Sequence, residues 1–484
     1  MAREERIRAD GTVECLVNDR AVATSAPAST VALDFLRARE RLSGVKEGCR
    51  EGDCGACTVL LGELRGDHVD YRSVCSCLLP IGDAHGKHVV TVEGLTQGDG
   101  LSPVQRLLVD EGGVQCGFCT PGFVVSLTGY LLSGGTLSGD AAVESVGGNL
   151  CRCTGHVPIV RAARRLVDTL DVAEGGDRLG ALVALGAVPA YFLEVPGRLA
   201  SLAAGGDDPE RFPAVDPGRP LVAGGTDAYV GGAFSLPGQR VQLIADWQRG
   251  AHVTEDATTL RIPATASIEH LRESPIVRRL LPELVAALDL FGSAPIRHRA
   301  TVGGNLVTAS PIGDLTCLLM ALDATLVLRD GPSRRTLPLP ELYPGYKQLA
   351  KDPAELVEAV VVPKPGPQAR VSYEKVSRRR HLDIASVNST MVANVEGDTL
   401  SAVSISAGGV GPTMLLLRAT AAALEGRPLD ARAVTEALRL AQTEIAPISD
   451  VRGSAAYKRL LLRQLIAAHL DRLVPGVVTA SVLP

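Results

Sequence analysis

Residues 48–59, with the sequence GCREGDCGACTV, decide the fold of the first part of the chain. Cysteines stand at positions 49, 54 and 57 in the spacing C-x4-C-x2-C, and glycines stand at 48, 52 and 55. A stretch of this composition is typical of a metal site, of a disulfide-linked loop or of a turn of small residues. The rest of the sequence decides among these three structures.

Length and composition limit the class of protein. At 484 residues the chain exceeds what one hydrophobic core usually serves, so we expect two to four domains. A net charge of −5 does not favour nucleic acid or an anionic membrane as a partner. The N-terminal stretch MAREERIRAD lacks the apolar core of a signal peptide, and the apolar run 179–193 is too short to span a bilayer. We therefore expect a cytoplasmic protein.

The cysteine count argues against disulfides. The chain has 11 cysteines, an odd number, and only Cys317 lies beyond residue 153. Thiols in the cytoplasm are kept reduced, so cysteines there more often bind metal or catalyse reactions than form disulfides. The first third of the chain is therefore predicted to be rich in metal.

The first cysteine set has the spacing of plant-type ferredoxins, which needs a distant fourth cysteine. Cys75 and Cys77 are both placed to supply it. Glycines allow such a loop to wrap closely enough for backbone N–H groups to reach the sulfurs. The alternatives are a reduced loop without metal and a structural zinc site, although zinc usually binds two C-x2-C pairs and this set has one.

A second cysteine set consists of the C-x2-C pair Cys116 and Cys119 and the C-x-C pair Cys151 and Cys153. Thr120-Pro121 is typical of a helix start, and the N-terminus of a helix favours anionic ligands. Four thiolates suffice for one iron–sulfur cluster or for one zinc ion. Proximity to the first set favours the cluster.

The patterns of apolar residues predict a β-hairpin over 11–24, a helix over 31–41 and strands over 58–61 and 88–92. Helical periodicity begins at Ser102, and a last helix is predicted over 455–473. Residues 171–189, rich in Gly, Ala and Asp, mark the best domain boundary.

Two Gly-Gly stretches follow that boundary. Residues 221–227 (LVAGGTD) and 301–306 (TVGGNL) are each predicted to be a strand running into a glycine turn. Such turns expose consecutive N–H groups that can bind a pyrophosphate, although most are ordinary turns. Neither stretch is G-x-G-x-x-G, so a Rossmann site is not supported.

The motifs together resemble a known family. KEGCREGDCGACTVLL (46–61), CLLPI (77–81), QCGFCTPGF (115–123) and GNLCRCTGH (148–156) resemble the iron–sulfur portion of molybdenum hydroxylases of the xanthine dehydrogenase family. LVAGGTD and ATVGGNLVTASPIGDL (300–315) resemble the FAD-binding segments of that family, in the same order.

The resemblance implies an α+β multidomain fold. Its parts would be a β-grasp 2Fe-2S ferredoxin domain at 1–93, a four-helix 2Fe-2S domain at 94–170, a linker at 171–189, an α+β FAD-binding domain at 190–365 and a C-terminal flavoprotein subdomain at 366–484.

The resemblance also implies the cofactor ligands. The ferredoxin-type cluster would be bound by Cys49, Cys54, Cys57 and Cys77, which leaves Cys75 as an extra thiol, and the helical-domain cluster by Cys116, Cys119, Cys151 and Cys153. The FAD diphosphate and ribityl chain would be bound by Leu221, Val222, Ala223, Gly224, Gly225, Thr226, Asp227, Ala300, Thr301, Gly303, Gly304 and Asn305. Asp314 would bind the adenosine side, Phe291 would face the isoalloxazine ring and Lys375 would lie near the flavin. Core packing is the alternative for Phe291, and a solvated surface position is the alternative for Lys375.

The function implied is electron transfer in xanthine dehydrogenase, which oxidises hypoxanthine and xanthine to urate. Because the chain ends where the molybdopterin domain of the family would begin, we expect that cofactor on a large partner subunit, in a dimer of heterodimers. Electrons would pass through the two 2Fe-2S clusters and FAD to NAD, and no residue of this chain would itself be catalytic. The alternatives are the equivalent subunit of a hydroxylase of aldehydes or other N-heterocycles, and a zinc-stabilised scaffold without a redox role.

Overall fold

The computed structural model describes residues 11–96, 98, 100–170, 172, 176–202, 213 and 215–478. The chain forms two compact units: unit 1 comprises Met1–Arg249 and Ser293–Ala300, and unit 2 comprises Gly250–Gly292 and Thr301–Pro484. The stretch MAREERIRAD and part of the predicted linker, residues 171 and 173–175, lie outside the described residues. No helix among the described residues is both long and apolar enough to cross a membrane.

The strands of the described chain are numbered in chain order. They are β1 (Val13–Val17), β2 (Arg20–Thr24), β3 (Thr58–Arg65), β4 (His68–Cys75), β5 (His88–Val90), β6 (Leu221–Val222), β7 (Gln242–Leu243), β8 (Thr254–Glu255), β9 (Thr259–Pro263), β10 (Thr325–Asp330), β11 (Ser333–Pro338), β12 (Leu356–Pro363), β13 (Ala369–Val376), β14 (Val387–Glu396), β15 (Thr399–Gly408) and β16 (Leu415–Leu416).

The α-helices are numbered in the same way. They are α1 (Ala32–Asp34), α2 (Pro103–Asp110), α3 (Thr120–Leu132), α4 (Gly139–Ser145), α5 (Val157–Thr169), α6 (Arg178–Ala184), α7 (Val195–Leu202), α8 (Ala228–Gly231), α9 (Ile268–Glu273), α10 (Pro275–Leu280), α11 (Pro282–Asp289), α12 (Ala294–Arg297), α13 (Val302–Val307), α14 (Asp314–Ala321), α15 (Arg418–Leu424), α16 (Ala431–Thr443) and α17 (Ala455–Leu473). Helix α1 continues into a π-helix, Phe35–Arg39, and short 3-10 helices cover Ser76–Leu78, Ile81–Ala84, Val92–Leu95, Ala190–Leu193 and Leu339–Leu342.

Unit 1 begins with a five-stranded mixed sheet in the order β2-β1-β5-β3-β4. The predicted hairpin is confirmed: β1 and β2 pair antiparallel, and Asn18 in their turn has φ 51°, which asparagine tolerates better than most residues. Strand β5 runs parallel to β1 and antiparallel to β3. The helical stretch 32–39 contributes Leu33 and Phe35 to the core of this sheet. This arrangement confirms the β-grasp prediction.

The second part of unit 1 is helical. Ser102 begins α2 with a capping box, in which its hydroxyl accepts from the N–H of Gln105 and the Gln105 side chain accepts from the N–H of Ser102. Helices α2 to α5 share one apolar core that includes Leu108, Phe123 and Ile159. The four-helix prediction is thereby confirmed. Leu182 and Phe192, which follow in the chain, join the same core.

The last part of unit 1 is a parallel pair of two-residue strands, β6 and β7, with α8 between them in the chain. Val222, Leu243 and Tyr229 are buried in the same core as the β-grasp sheet. The Tyr229 hydroxyl donates a hydrogen bond of 2.9 Å to the carbonyl of Ser29. The chain around residues 221–229 is therefore anchored on the β-grasp part of the same unit.

Unit 2 contains two antiparallel sheets. The first has the order β11-β10-β12-β9-β8, and the second has the order β13-β14-β15-β16. The long helix α17 covers the predicted range 455–473 and packs on β13 and β14, burying Leu462, Ile466 and Leu470. Helix α14, with every residue buried, packs on β14 and β15. Unit 2 is therefore an α+β structure, as predicted for this part of the chain.

Candidate cofactor sites

The first cysteine set lies between the π-helix and β3 and at the end of β4. The sulfur atoms of Cys57 and Cys77 are 3.5 Å apart, and the thiols of Cys49 and Cys54 are in hydrogen-bond contact. Cys57 and Cys77 are 2% and 5% exposed, whereas Cys49 and Cys54 are half-buried. The four cysteines predicted as ligands therefore form two adjacent thiol pairs.

The backbone of this loop curls through left-handed conformations. Gly52 and Gly55 have φ values of +78° and +65°, and a Cβ atom on Gly48 would come within 2.7 Å of the Cys54 sulfur. Arg50 also has a positive φ, 58°, and its guanidinium is held by Asp34 at 2.5 Å and Glu47 at 2.7 Å. The glycine spacing in the motif thus matches the positions where the loop turns.

The loop supplies hydrogen bonds to sulfur. The N–H of Glu51 donates to the Cys49 sulfur at 3.3 Å. The Cys54 thiol, together with N–H groups of Glu51 and Asp53, lowers the pKa of Cys49 to about 6 against the effect of burial. Donors of this kind stabilise a thiolate, which is the form that binds metal.

Cys75 lies beside the first set. It is 3% exposed, and its thiol donates to the carbonyl of Gly52 at 3.8 Å. The thiols of Cys75 and Cys77 both hold the pKa of Cys57 well below its usual range. Both candidates for the fourth ligand therefore adjoin Cys57, and the choice of Cys77 stays a prediction.

The second cysteine set lies where two helices begin. Cys119 is the N-cap of α3, which starts at Thr120 as predicted, and His156 with φ 69° is the N-cap of α5. The thiol of Cys116 contacts that of Cys153, and the thiol of Cys119 contacts that of Cys151. The Cys151 sulfur also lies 3.1 Å from the Thr154 hydroxyl. Two thiol pairs again face each other.

A two-iron cluster fits both sets. A [2Fe–2S] cluster is bound by four cysteine thiolates, two on each iron, so its ligands form two pairs. Each set offers two pairs, and each loop includes a glycine with positive φ, Gly55 in the first and Gly117 in the second. Within the part of the chain that the structure describes, no group of three or more His, Cys, Asp or Glu side chains is arranged to hold a single metal ion.

Asn149 connects the two cysteine loops, and the sequence did not single it out. Its amide donates to the carbonyl of Gly55 at 3.0 Å, and its side-chain oxygen accepts from the Ser126 hydroxyl at 2.8 Å. The N–H of Leu150 donates to the carbonyl of Cys54 at 3.0 Å. Asn149 stood in the quoted motif GNLCRCTGH, but no spacing rule links it to a residue 94 positions earlier.

The first Gly-Gly stretch is a strand followed by a turn, as predicted. Strand β6 ends at Val222, and Gly225 has φ +83°. Gly224 and Gly225 are buried, and their N–H groups donate no hydrogen bond within the described chain. A buried N–H group without a partner is costly, so a phosphate oxygen is a fitting acceptor here.

The second Gly-Gly stretch is not a strand and a turn, so that expectation was wrong. Residues 302–307 form helix α13, because the Thr301 hydroxyl caps it by accepting from the N–H of Gly304 at 3.1 Å. The N–H of Gly303 donates to Ala264 at 2.7 Å. These two N–H groups are therefore occupied. The side-chain oxygen of Asn305 is buried and lacks a hydrogen-bond partner among the described residues, which leaves an acceptor for a ligand.

Asp314 and Lys375 form one buried group in unit 2. Their side chains are 11% and 1% exposed and meet at 2.6 Å. Asp314 also accepts from the Tyr373 hydroxyl at 2.6 Å and from the Asn388 amide at 2.8 Å, while Lys375 donates to the carbonyl of Leu290. Lys375 is thus not a solvated surface lysine. Phe291, the next residue after Leu290, is half-buried. The roles of these side chains toward FAD stay predictions.

Four family models match the chain in succession. They describe a 2Fe-2S iron-sulfur cluster binding domain at residues 16–81, a [2Fe-2S] binding domain at 91–164, an FAD binding domain in molybdopterin dehydrogenase at 210–365 and a CO dehydrogenase flavoprotein C-terminal domain at 372–473.

Curated relatives and solved structures agree with these matches. Xanthine dehydrogenase of Blastobotrys adeninivorans is 28% identical over 92% of this chain and 39% of its own length. Aldehyde oxidase 1 of Bos taurus is 30% identical over 90% of this chain and 37% of its own length. The chain thus spans less than two fifths of these relatives. A chain of the reconstituted CO dehydrogenase from Oligotropha carboxidovorans is 26% identical, with a TM-score of 0.50 over 53% of this chain and 89% of its own.

The paired thiols on the β-grasp loop, the paired thiols at two helix N-termini and the buried glycine turn lie, in that order, within the first three matched domains. Domain by domain and in the same order, the chain matches the 2Fe-2S and FAD-binding portion of molybdenum hydroxylases.

Proposed function

We propose that this chain is the electron-transfer subunit of a cytoplasmic xanthine dehydrogenase. Electrons from a molybdopterin-binding partner subunit would enter the cluster bound by Cys116, Cys119, Cys151 and Cys153. They would pass to the cluster bound by Cys49, Cys54, Cys57 and Cys77 and leave through FAD to NAD. The cofactors supply the redox chemistry, and the residues of this chain hold, space and shield them.

One observation carries this proposal: within unit 1 the two cysteine sets differ in exposure. Cys116 and Cys153 are exposed, whereas Cys57 and Cys77 are buried. Exposed apolar side chains lie next to the second cysteine set, called the outer set from here on. Phe118 is 47% exposed, Leu150 41% and Val157 60%. Exposed apolar side chains grouped around a cofactor site are typical of a protein contact. The outer set therefore suits exchange with a partner subunit.

The first cysteine set, called the inner set from here on, suits exchange with the flavin. A Cβ atom on Gly225 would come within 2.6 Å of the Leu78 carbonyl. The turn at Gly224 and Gly225, called the glycine turn, therefore lies directly against the residue after Cys77. Contacts within unit 1 support the order outer set, inner set and glycine turn. Asn149 joins the loop of the outer set to Gly55, and Leu78 joins the loop of the inner set to Gly225.

The first test is composition. The purified full chain should contain about four irons, equal inorganic sulfide and one FAD, because two [2Fe–2S] clusters hold two irons each. A colourless protein that contains zinc and no flavin would overturn the proposal in favour of the scaffold alternative. Co-purification from the native host should yield the molybdopterin subunit and a dimer of heterodimers.

A second candidate function differs only in substrate. The likeness to aldehyde oxidase 1 of Bos taurus, at 30% identity, favours the equivalent subunit of an enzyme that oxidises aldehydes or N-heterocycles. Turnover of the purified complex with xanthine, an aldehyde and nicotinate, each with NAD or oxygen as acceptor, separates the two. Faster turnover of xanthine with NAD supports our proposal, and faster turnover of an aldehyde contradicts it.

A further inference from the structure

The short segment Ser293–Ala300, here called the connecting segment, packs into unit 1 although the residues on both sides of it belong to unit 2. It contains the one-turn helix α12, Ala294–Arg297. Its sequence is SAPIRHRA, of which only the last residue, Ala300, belongs to a motif of the sequence analysis. Its contacts within unit 1 reach both cysteine loops and the glycine turn.

The first half of the connecting segment touches the two cysteine loops. A Cβ atom on Gly148, in the loop before Cys151, would come within 2.8 Å of the Ser293 side chain. A Cβ atom on Gly52, between Cys49 and Cys54, would come within 2.6 Å of the Ile296 side chain. Each cysteine loop thus has a glycine where the connecting segment approaches its backbone closely.

Polar contacts fix the connecting segment to the two domains that carry those loops. Arg297, whose side chain is 3% exposed, pairs with Glu144 at the end of α4 at 2.8 Å. A ring nitrogen of His298 lies 2.8 Å from the carbonyl of Ser73 in β4. The helical domain and the β-grasp domain are therefore both tied to consecutive residues of this segment.

The last contact is to the glycine turn. The Arg299 guanidinium pairs with Asp83, whose side chain is 0% exposed, and donates through Nε to the carbonyl of Gly224 at 3.2 Å. A Cβ atom on Gly224 would come within 1.8 Å of the carbonyl oxygen of Arg299, so only glycine fits there. Arg299 thus holds the carbonyl of Gly224, while the N–H groups of Gly224 and Gly225 donate no hydrogen bond within the described chain.

We propose that the connecting segment is one positioning element for three cofactor loops, and that Arg299 is the positioning residue for the glycine turn at Gly224. The inference rests on the proposed function, since it assigns FAD to that turn. Electron transfer slows steeply as the distance between cofactors grows. A single segment in contact with all three loops would keep constant the distance between the two clusters and the distance from the inner cluster to FAD.

The test compares substitutions of Arg299 with a matched control in the full chain that carries its clusters. Arg299→Met removes the ion pair with Asp83 and the hydrogen bonds to the carbonyls of Gly224 and Ala223. Arg299→Lys keeps a positive charge for Asp83 but lacks the second donor for Gly224. Lys87→Met is the control, because Lys87 is a buried cation of the same unit whose partner is Asp246 at 2.9 Å. The measurements are FAD affinity by fluorescence titration, the EPR spectrum of each reduced cluster and the unfolding temperature.

We expect both Arg299 variants to bind FAD at least about tenfold more weakly, the lower end of what losing a hydrogen-bonded outer-shell residue costs at a metal site. The EPR signal of the inner cluster should also shift, because Asp83 follows closely on Cys77. The Lys87→Met variant should lose thermal stability and keep its FAD affinity and EPR spectrum. If Arg299→Met does not fold, Arg299→Lys carries the test.

Two outcomes would overturn the inference. Arg299→Lys could bind FAD as tightly as the unsubstituted chain with unchanged EPR spectra, or Lys87→Met could lose FAD affinity to the same degree, which would mark the effect as general destabilisation. Absence of iron and FAD from the unsubstituted chain is a different result, since it contradicts the proposed function itself.

Discussion

The two cysteine sets use similar thiol pairs in opposite surroundings. Cys57, Cys75 and Cys77 belong to the apolar core of the β-grasp sheet. Cys116 and Cys153 are exposed at the N-termini of α3 and α5. Ligand chemistry alone therefore does not decide whether a site is buried or exposed. In the inner set the ligands are part of the core, and in the outer set helix ends present them to solvent.

The largest expected difference concerns ligand loss. Cys57→Ser and Cys116→Ser should each reduce iron from about four to about two per chain. Cys57→Ser should lower the free energy of unfolding by at least about 4 kcal/mol, because it removes a metal site and puts an unpaired hydroxyl in the core. Cys116→Ser should cost clearly less, since its side chain is exposed. Iron analysis and urea unfolding measure both effects, and equal losses of stability in the two variants would contradict the expected difference between the two cysteine sets.

The second prediction concerns the loss of stability of the β-grasp sheet in acid, through His88 of β5. Burial lowers the pKa of His88 to about 4, and its ring is hydrogen-bonded to the Tyr71 hydroxyl at 2.8 Å and to the carbonyl of Asn18 at 2.9 Å. The folded state therefore prefers the neutral ring. The stability that this preference provides is complete above the unfolded pKa of about 6.5 and is lost as the pH falls from there to about 4, by about 3 kcal/mol in total.

The measurement is the free energy of unfolding between pH 7.5 and pH 4 for the unsubstituted chain and for His88→Gln. Glutamine does not titrate, so the variant should start less stable and show a shallower decline as the pH falls. Parallel declines in the two proteins would show that His88 does not contribute to acid sensitivity.

A third prediction concerns the link between the sets. Asn149→Ala removes the hydrogen bonds to Gly55 and Ser126, both buried, and should cost about 1–3 kcal/mol. The EPR spectra of both clusters should change, because the side chain touches the inner loop and its backbone leads into the outer one. Ser138→Ala, which removes the N-cap of α4, is the control: it should cost about 1 kcal/mol and leave both spectra unchanged.

The smallest effect on stability is expected at the surface of the outer set. Phe118→Ala should change the free energy of unfolding by no more than about 0.5 kcal/mol, because the ring is 47% exposed. It should nevertheless weaken binding of the partner subunit, which size-exclusion chromatography or calorimetry can measure. Leu193→Ala, with a side chain 51% exposed elsewhere in the unit, should leave binding intact. Equal affinities in both variants would mean that the partner binds another face.

Local patterns in the sequence predicted local structure well. The hairpin at β1 and β2, the start of α3 at Thr120 and the extent of α17 follow from residues a few positions apart. One exception is α13, where the glycines suggested a turn, and another is the predicted helix over 31–41, in which Phe35–Arg39 form a π-helix. The N-terminus of α13 depends on Thr301 as a cap and on a hydrogen bond from Gly303 to Ala264, 39 residues earlier, which no local pattern contains.

Residue types and spacing alone indicate metal-binding thiol loops. C-x4-C-x2-C with its glycines and the later cysteine pairs predict such loops, because the spacing within each motif and the positive φ of glycine are local properties. The burial of Lys375 against Asp314, the link that Asn149 makes between the two cysteine loops and the bridge from Asp83 through Arg299 to Gly224 arise from tertiary packing. Those contacts span 61 to 216 residues, and they form only when packing has excluded water and each buried polar group must find a partner.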